Sequence, residues 1–475
     1  MSLNNSLIKE KLYLVLLCSY AFLLPTLNNL TTPIIITLFL TTIVDINSLK
    51  GFYREYKRNF IVLGFPLIFI LSTLSLLYTE NFEVGLDHLF KSSPFLLFPI
   101  ALYKVSLLKN KDLNLIIKLF IIGCVATVLY SFSYVIYDII EGSYKEIHSP
   151  DNYLKYYLNR ITYHDLVSKN RVDHSVYFAA YILIALAAVR ANKALFSGSI
   201  NKLITILLLI TFVLMTSIII SISALIVFIG FYNIDKVDIS SQANIFSKKV
   251  SLISVGWLFL IFYLIIWKIK PHTEFIYVFN NSNFNLVILS GVVLGVIFVN
   301  LVVKYSAFIS LKYIFMIIFL CFFCYTILLV QFEGNINSLQ LSNFTARLSN
   351  SYASAVTIKN NFLIGVGVGD VQNHLREIYD IIKFEDTTYN EHNQYYRFWL
   401  GSGIITFFIY VFWLFKLIDE AYKHKKPLLL CISITLFLFS FTESIFARQM
   451  GISYFVFFTY FFYYSDFRKI NNLTC

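Results

Sequence analysis

Between Glu391 and Arg397 the chain sets a carboxyl group, an imidazole, two amides and a guanidinium: Glu391, His392, Asn393, Gln394 and Arg397. Aromatic rings flank them at Tyr389, Tyr395, Tyr396 and Trp399. A neutral imidazole near pH 7 can take a proton from a hydroxyl, and a positioned base of this kind contributes ~10²–10⁴-fold to rate. A guanidinium offers paired, permanently charged donors that match phosphate or carboxylate. The bland alternative is an aromatic belt at a membrane surface with an incidental histidine. Arg347 and Asp370 in the same polar stretch, with Arg397 against the apolar run that follows, argue for a site, because charge at membrane depth is costly and tends to be functional. If the helix begins early, His392 and Tyr396 are four apart and share a face.

Two segments upstream must carry these groups. Leu348, Tyr352, Ala355 and Ile358 recur at helical spacing, and so do Val371, Leu375, Ile378 and Ile382. Each set predicts a short amphipathic helix at the interface. His374 and Arg376 fall off the second stripe and read as solvated. Between the helices lies GVGVGD, Gly365 to Asp370. No βαβ pattern surrounds it, so a dinucleotide fold is excluded. Gly365 and Gly367 fit a tight turn, with close backbone approach to a phosphate as the alternative.

The rest of the chain is apolar. Charged residues make up 14% of 475, against about a quarter in a soluble domain. Runs of membrane-crossing length recur at 12–27, 33–46, 60–78, 94–108, 114–137, 174–189, 203–217, 218–234, 251–267, 285–303, 313–331, 396–415, 427–441 and 451–464. The fold class expected is all-α, a polytopic transmembrane bundle of about 12–14 spans. The stretch 203–234 would reach ~48 Å as one helix against a ~30 Å hydrocarbon core, so it divides near Thr216–Ser217. Division also keeps the basic segments, among them Lys50, Arg54, Lys57, Lys104, Lys423 and Lys426, on one side. The net charge of +11 then follows from basic cytoplasmic loops and not from nucleic-acid binding. The first apolar run lacks a small-residue cleavage site and is expected to stay as a span.

Three regions result: spans in 1–331 with an outer loop at 138–173, a large outer loop at 332–395, and spans in 396–475. Polar mass concentrated in the two outer loops puts the work on the outer side. Cys321 and Cys324 spell C-x-x-C inside an apolar run with no second pair of ligands, so they read as small buried hydrophobes, and no metal site is expected.

The segments ARLSNSYASAVTIKNNFLIGVGVGD and HNQYYRFWLGSGIITFFIY resemble the O-antigen ligase and polymerase family of bacterial envelope glycosyltransferases. The matching positions are Arg347, Gly365–Asp370, His392–Asn393 and the glycine pair Gly401 and Gly403. DHSVYFAAYI, with His174, and TESIFARQMGISYFVFF, with Glu443, Arg448 and Gln449, resemble further segments of that family's Bacteroidetes-like branch. Two departures stand out: Ser175 replaces a proline after His174, and SISALIVF lacks the base the family often carries there.

The resemblance implies a GT-C-like membrane fold in the bacterial inner membrane, working at the periplasmic face. It implies transfer of a glycan from undecaprenyl diphosphate to a sugar hydroxyl, on lipid A core or on a growing glycan, with no cofactor. On that reading His392 is the base, with Glu391 and His374 as rivals. Arg347 and Arg171 hold the donor pyrophosphate, with Arg160 and Arg397 as substitutes, and Asn393, Tyr396, Asp370, Gly365, Gly367, Glu443 and His174 support them. The alternative is a transporter or flippase of lipid-linked oligosaccharides, for which internal repeats and charged, broken mid-membrane helices would be the signature. The topology expected here puts Cys475 in the cytoplasm. A membrane-impermeant thiol reagent should therefore spare it in intact cells and label it after lysis; labelling of intact cells would overturn the topology.

Overall fold

The structure, a computed structural model, describes residues 2–57, 59–141, 175–192, 195–214, 223–224, 322, 326–327, 343–382, 384 and 390–465. These residues form helices α1 (Ser2–Thr26), α2 (Thr31–Ile43), α3 (Ile46–Tyr56), α4 (Phe60–Leu74), α5 (Phe82–Ser92), α6 (Pro94–Ala101), α7 (Asn110–Glu141), α8 (Ser175–Ala191), α9 (Gly198–Leu214), α10 (Asn343–Asn360), α11 (Val371–Ile381), α12 (Gln394–Lys423), α13 (Pro427–Phe439) and α14 (Gln449–Tyr464). No strand occurs among them. The expected spans within 218–331, save for a few residues, lie outside the described residues. So do Arg160, Arg171 and His174 of the first outer loop, the Cys321/Cys324 pair, and Cys475.

Among the described residues three helical stretches are long and apolar enough to cross a membrane: Phe60–Leu77, Asn110–Tyr134 and Gln394–Lys423. A fourth results if Asn28–Ile43 and Ile46–Tyr56, bent by 95°, count as one span. The expected span at 94–108 is instead α6 followed by a 3₁₀ turn, Tyr103–Leu107. Pro94 opens α6 at its first turn, where its missing N–H is harmless, but Pro99 lies inside and removes a donor. α13, at 13 residues, reaches only ~20 Å.

The core is aromatic. α14 is buried on every side from Gly451 to Tyr464, and α13 is enclosed almost as completely. A helix apolar all round must be wrapped by others, and α4, α6, α8 and α12 do the wrapping. Phe65 of α4 stacks on Phe95 of α6 at 4.6 Å and meets Trp413 of α12 at 4.3 Å. The Trp413 indole N–H donates to the Ile61 carbonyl at 2.8 Å. Gly64 makes this approach possible: a Cβ there would lie 1.9 Å from the Trp413 ring.

Hydrogen bonds sort the helix termini into two ends. At one end Lys104 bonds Thr41 and Asp45, Tyr463 donates to Glu55, and Lys426 donates to the Tyr463 carbonyl. At the other, Asp370 meets Glu80 and Asn81, Tyr177 meets Ile445, and Gln394 meets Ser440. The two expected amphipathic helices, α10 and α11, form and sit at this second end. Val371 and Leu375 are buried as the stripe requires, while α10 buries a small-residue face of Ala353, Ser354, Ala355 and Thr357.

α12, 30 residues long, starts at this end, and it is broken. Gly403 has φ 79° and ψ −179°, which no helix contains. Such a break frees a carbonyl and an N–H inside an apolar surrounding, where each must find a partner. The loop after α10 supplies both: the Val366 N–H donates to the Leu400 carbonyl at 2.7 Å, and the Ile404 N–H donates to the Leu363 carbonyl at 3.2 Å. A side chain at position 403 would meet that loop at 2.2 Å, and one at 365, where φ is 74°, would meet Leu400 at 2.3 Å. Gly401 has no such demand; its nearest neighbour would be the flexible Val368 side chain at 3.3 Å. Gly403→Ala should therefore destabilise the purified protein by about 1–3 kcal/mol or more through backbone strain and the clash, whereas Gly401→Ala should be near neutral. Thermal unfolding in detergent compares the two; equal melting temperatures would refute this account of the break.

Candidate functional site

The site is built where the start of α12 meets the segment that leaves α13. Asn393 caps α12, accepting from the Tyr396 N–H at 3.1 Å, and its side-chain amide donates to the Phe441 carbonyl at 3.2 Å. Its own N–H donates to Ser444 Oγ at 3.2 Å. Gln394 reads the same turn from both sides: its N–H donates to the Ser440 carbonyl and its side-chain oxygen accepts from the Phe446 N–H, each at 2.8 Å. The segment 393–394 is thus tied to 440–446 by four hydrogen bonds and fixes what stands on either side.

On one side stands Glu443. Its Oε2 is 3.3 Å from His392 Nδ1, and its Oε1 accepts from Arg347 Nη2 at 3.2 Å. Arg347 Nη1 donates to the neighbouring Thr442 carbonyl. One carboxylate therefore joins a cation from α10 to an imidazole at the head of α12. The His392 side chain is 24% exposed and that of Arg347 50%, so the cluster opens toward solvent. A carboxylate on Nδ1 fixes the ring's orientation and favours the tautomer with its proton on Nδ1, the arrangement a general base needs. Of the five N–H donors of Arg347, two are engaged here.

His392 precedes the helix instead of belonging to it. Its φ is 44°, a left-handed conformation, and its N–H donates to Asn390 Oδ1 at 3.1 Å. The helix begins at Gln394, two residues before the expected span but too late to include His392, so the early start that would give His392 and Tyr396 a shared face does not occur. The cause is local: Asn393 is a stronger cap than a helical residue. Tyr396 points inward and bonds Thr326 at 2.9 Å. Tyr395 and Trp399 are not a surface belt either. Both are buried, donating to the carbonyls of Phe437 and Phe362 at 3.0 Å each.

A second charged group sits deeper. Arg397 Nη1 pairs with Glu391 at 3.0 Å, and Nη2 lies 3.5 Å from His88 Nδ1 of α5. The Glu391 side chain is 1% exposed. Its charge is matched by Arg397 and screened from incoming ligand, which leaves the more open His392 as the better-placed base of the two. Arg397 in turn holds a buried carboxylate, so it is not the exposed substitute donor for pyrophosphate that its sequence position invited. His374 pairs with Glu377 on exposed α11, apart from the Glu443 cluster.

Asp370 is buried and wholly occupied: it accepts from the Glu80 and Asn81 N–H groups at 2.7 and 2.8 Å and from the Asn81 side chain at 3.0 Å. The glycines around it face protein. A Cβ at Gly367, where φ is 96°, would strike Thr79, and one at Gly369 would strike Asn81. The loop is therefore a clasp between α4, α5 and α12. Sequence reasoning grouped Arg347 and His392 but gave Glu443 only a supporting place. The signal was there in Glu443 beside Arg448 in an otherwise apolar tail, although nothing in the spacing ties it to residues 51 and 96 positions away.

His88 is held neutral down to about pH 3, first by burial and then by the Arg397 and Lys91 cations. Unfolded, a histidine binds its proton near pH 6.5. Between those values the unfolded chain carries a proton that the folded one lacks, so stability must fall as pH drops from about 6.5 toward 3. His88→Asn should flatten this acid limb in melts followed by intrinsic fluorescence; a limb unchanged by the substitution would place the proton elsewhere. No protein-family model matches this chain and no curated protein matches it, so the functional reading rests on the cluster and on the motifs that led to it.

Proposed function

We propose that the chain is a multi-pass envelope glycosyltransferase of the O-antigen ligase or polymerase kind, with a GT-C-like membrane fold. It acts at the outer face of the bacterial inner membrane and takes its glycan from undecaprenyl diphosphate. One observation supports this above the rest: Glu443 brings Arg347 and His392, which the sequence motifs had grouped, into one partly open cluster. The end of the molecule that carries the cluster is opposite the end where Lys50, Arg54, Lys57, Lys104, Lys423 and Lys426 gather, which agrees with an outward-facing site under the positive-inside rule.

The reaction is a displacement. The acceptor hydroxyl oxygen bonds to the anomeric carbon of the donor glycan, the bond from that carbon to the pyrophosphate oxygen breaks, and undecaprenyl diphosphate departs with the electron pair. The acceptor proton passes to His392, which Glu443 holds in position. Arg347 meets the pyrophosphate as negative charge gathers on it, using the donors that Glu443 and Thr442 leave available. A flippase for the same lipid would need the anion site but not the base, so the two residues separate the readings.

Purified protein in nanodiscs, given lipid-linked donor, allows binding and turnover to be measured apart. Arg347→Ala should lower kcat/KM by roughly 30-fold or more through weaker donor binding, as for truncation of one partner in a charged contact. Arg347→Lys should restore little, because a point charge lacks the fork. His392→Ala should lower turnover by ~10²–10⁴-fold with donor still bound. Full turnover without the imidazole would remove the proposed chemistry. In cells, deletion of the gene followed by a gel of surface glycans separates the subtypes: a ladder collapsed to one repeat means a polymerase, and an unattached lipid-linked polymer means a ligase.

A further inference from the structure

At the end remote from the cluster, α3 turns 95° away from α2 and lies across the bundle. Asp45 caps it, accepting from the N–H groups of Asn47 and Ser48. Phe52 anchors its underside, edge-on to Tyr103 at 6.1 Å, and Gly51 lets the two segments close, since a Cβ there would lie 2.4 Å from the Tyr103 hydroxyl. Anchored this way, α3 overhangs the flank of α4 and α6. Between them runs a groove of about 580 Å³, floored by Pro66, Ile70, Leu96 and Ile100 and rimmed by Lys50 and Arg54. The floor continues the apolar face of the Phe60–Leu77 span, on which Ile70 is 44% exposed. Both rim cations are exposed, and neither forms an ion pair among the described residues. Lys57 adds a third cation beside them, 4.5 Å over the Tyr53 ring.

An apolar floor with cations only at its rim, paired with no carboxylate among the described residues, fits a molecule that is apolar along its length and anionic at one end. The groove opens beside a helix able to cross the bilayer, at the level where α3 runs across it. We propose that it is a binding site for one anionic phospholipid of the surrounding leaflet, with an acyl chain on Ile70 and Leu96 and the headgroup phosphate against Lys50 and Arg54. The lipid locks α3 to the bundle. This site is independent of the chemistry at the opposite end.

Native mass spectrometry of the full chain in detergent, titrated separately with phosphatidylglycerol and phosphatidylcholine, tests it. The unaltered protein should bind one phosphatidylglycerol at least tenfold more tightly than phosphatidylcholine. Each of Lys50→Gln and Arg54→Gln should reduce that preference by roughly fivefold, the effect of one cation near an anionic membrane surface. Leu96→Trp, which fills the groove without changing charge, should weaken both lipids together. Lys109→Gln with Lys111→Gln, two exposed lysines that do not line the groove, should leave the preference intact and serves as the control for fold and net charge. No preference in the unaltered protein, or an equal loss in the control pair, would overturn the site.

Discussion

A break in a helix surrounded by apolar groups cannot be left open, and the site end of this protein is organised around closing one. Gly403 interrupts α12, and the loop at 363–366 takes up the released Leu400 carbonyl and Ile404 N–H. The same loop continues into Gly367, Gly369 and Asp370, which bind Thr79 to Asn81. Three segments distant in sequence are thereby joined through backbone contacts that no side chain could enter. α10, leaving this loop at its other end, carries Arg347. The cation's position is therefore set by the same closure that repairs the helix.

The charged groups divide by depth. Arg397 and Glu391 form an inner pair with little access to solvent, and such a pair repays the removal of its charges from water only when both members stay. The outer group of Arg347, Glu443 and His392 is partly open to solvent. Glu391 and His392 are adjacent in the chain yet belong to different layers. The left-handed turn at His392 sends the two side chains apart, and Asn393, as cap, holds that turn in place.

Helical class, the position of α10 and α11, and the grouping of Arg347 with His392 were legible in the sequence, because periodicity and polarity inside a greasy chain are strong local signals. Three things were not. The start of α12 depended on the cap at Asn393 prevailing over the helical spacing of His392 and Tyr396. The burial of Tyr395 and Trp399 depended on α13 and the loop after α10 passing over them, and an aromatic residue near an interface looks alike in sequence whether lipid or protein covers it. The role of Glu443 depended on a contact between segments far apart along the chain. Span lengths were overestimated for a related reason: prolines and short buried helices divide apolar runs that composition alone reads as continuous.

The burial of α14 has a consequence for how the protein is made. Its helix follows all the others in the described structure, yet it lies at their centre: Tyr20 of α1 donates to the Ser453 carbonyl across 433 positions, and Tyr464 donates to Pro99 across 365. During synthesis the early helices therefore emerge well before the surface they enclose. Contacts of such long sequence range close slowly and leave apolar surface waiting. Phe65 and Phe98, which meet Tyr460 and Phe457 of α14, must be covered by lipid, or by an insertion chaperone, until the final helix arrives to displace it. Truncation shortly before residue 449 would thus leave a bundle without its centre, even though every earlier helix were present.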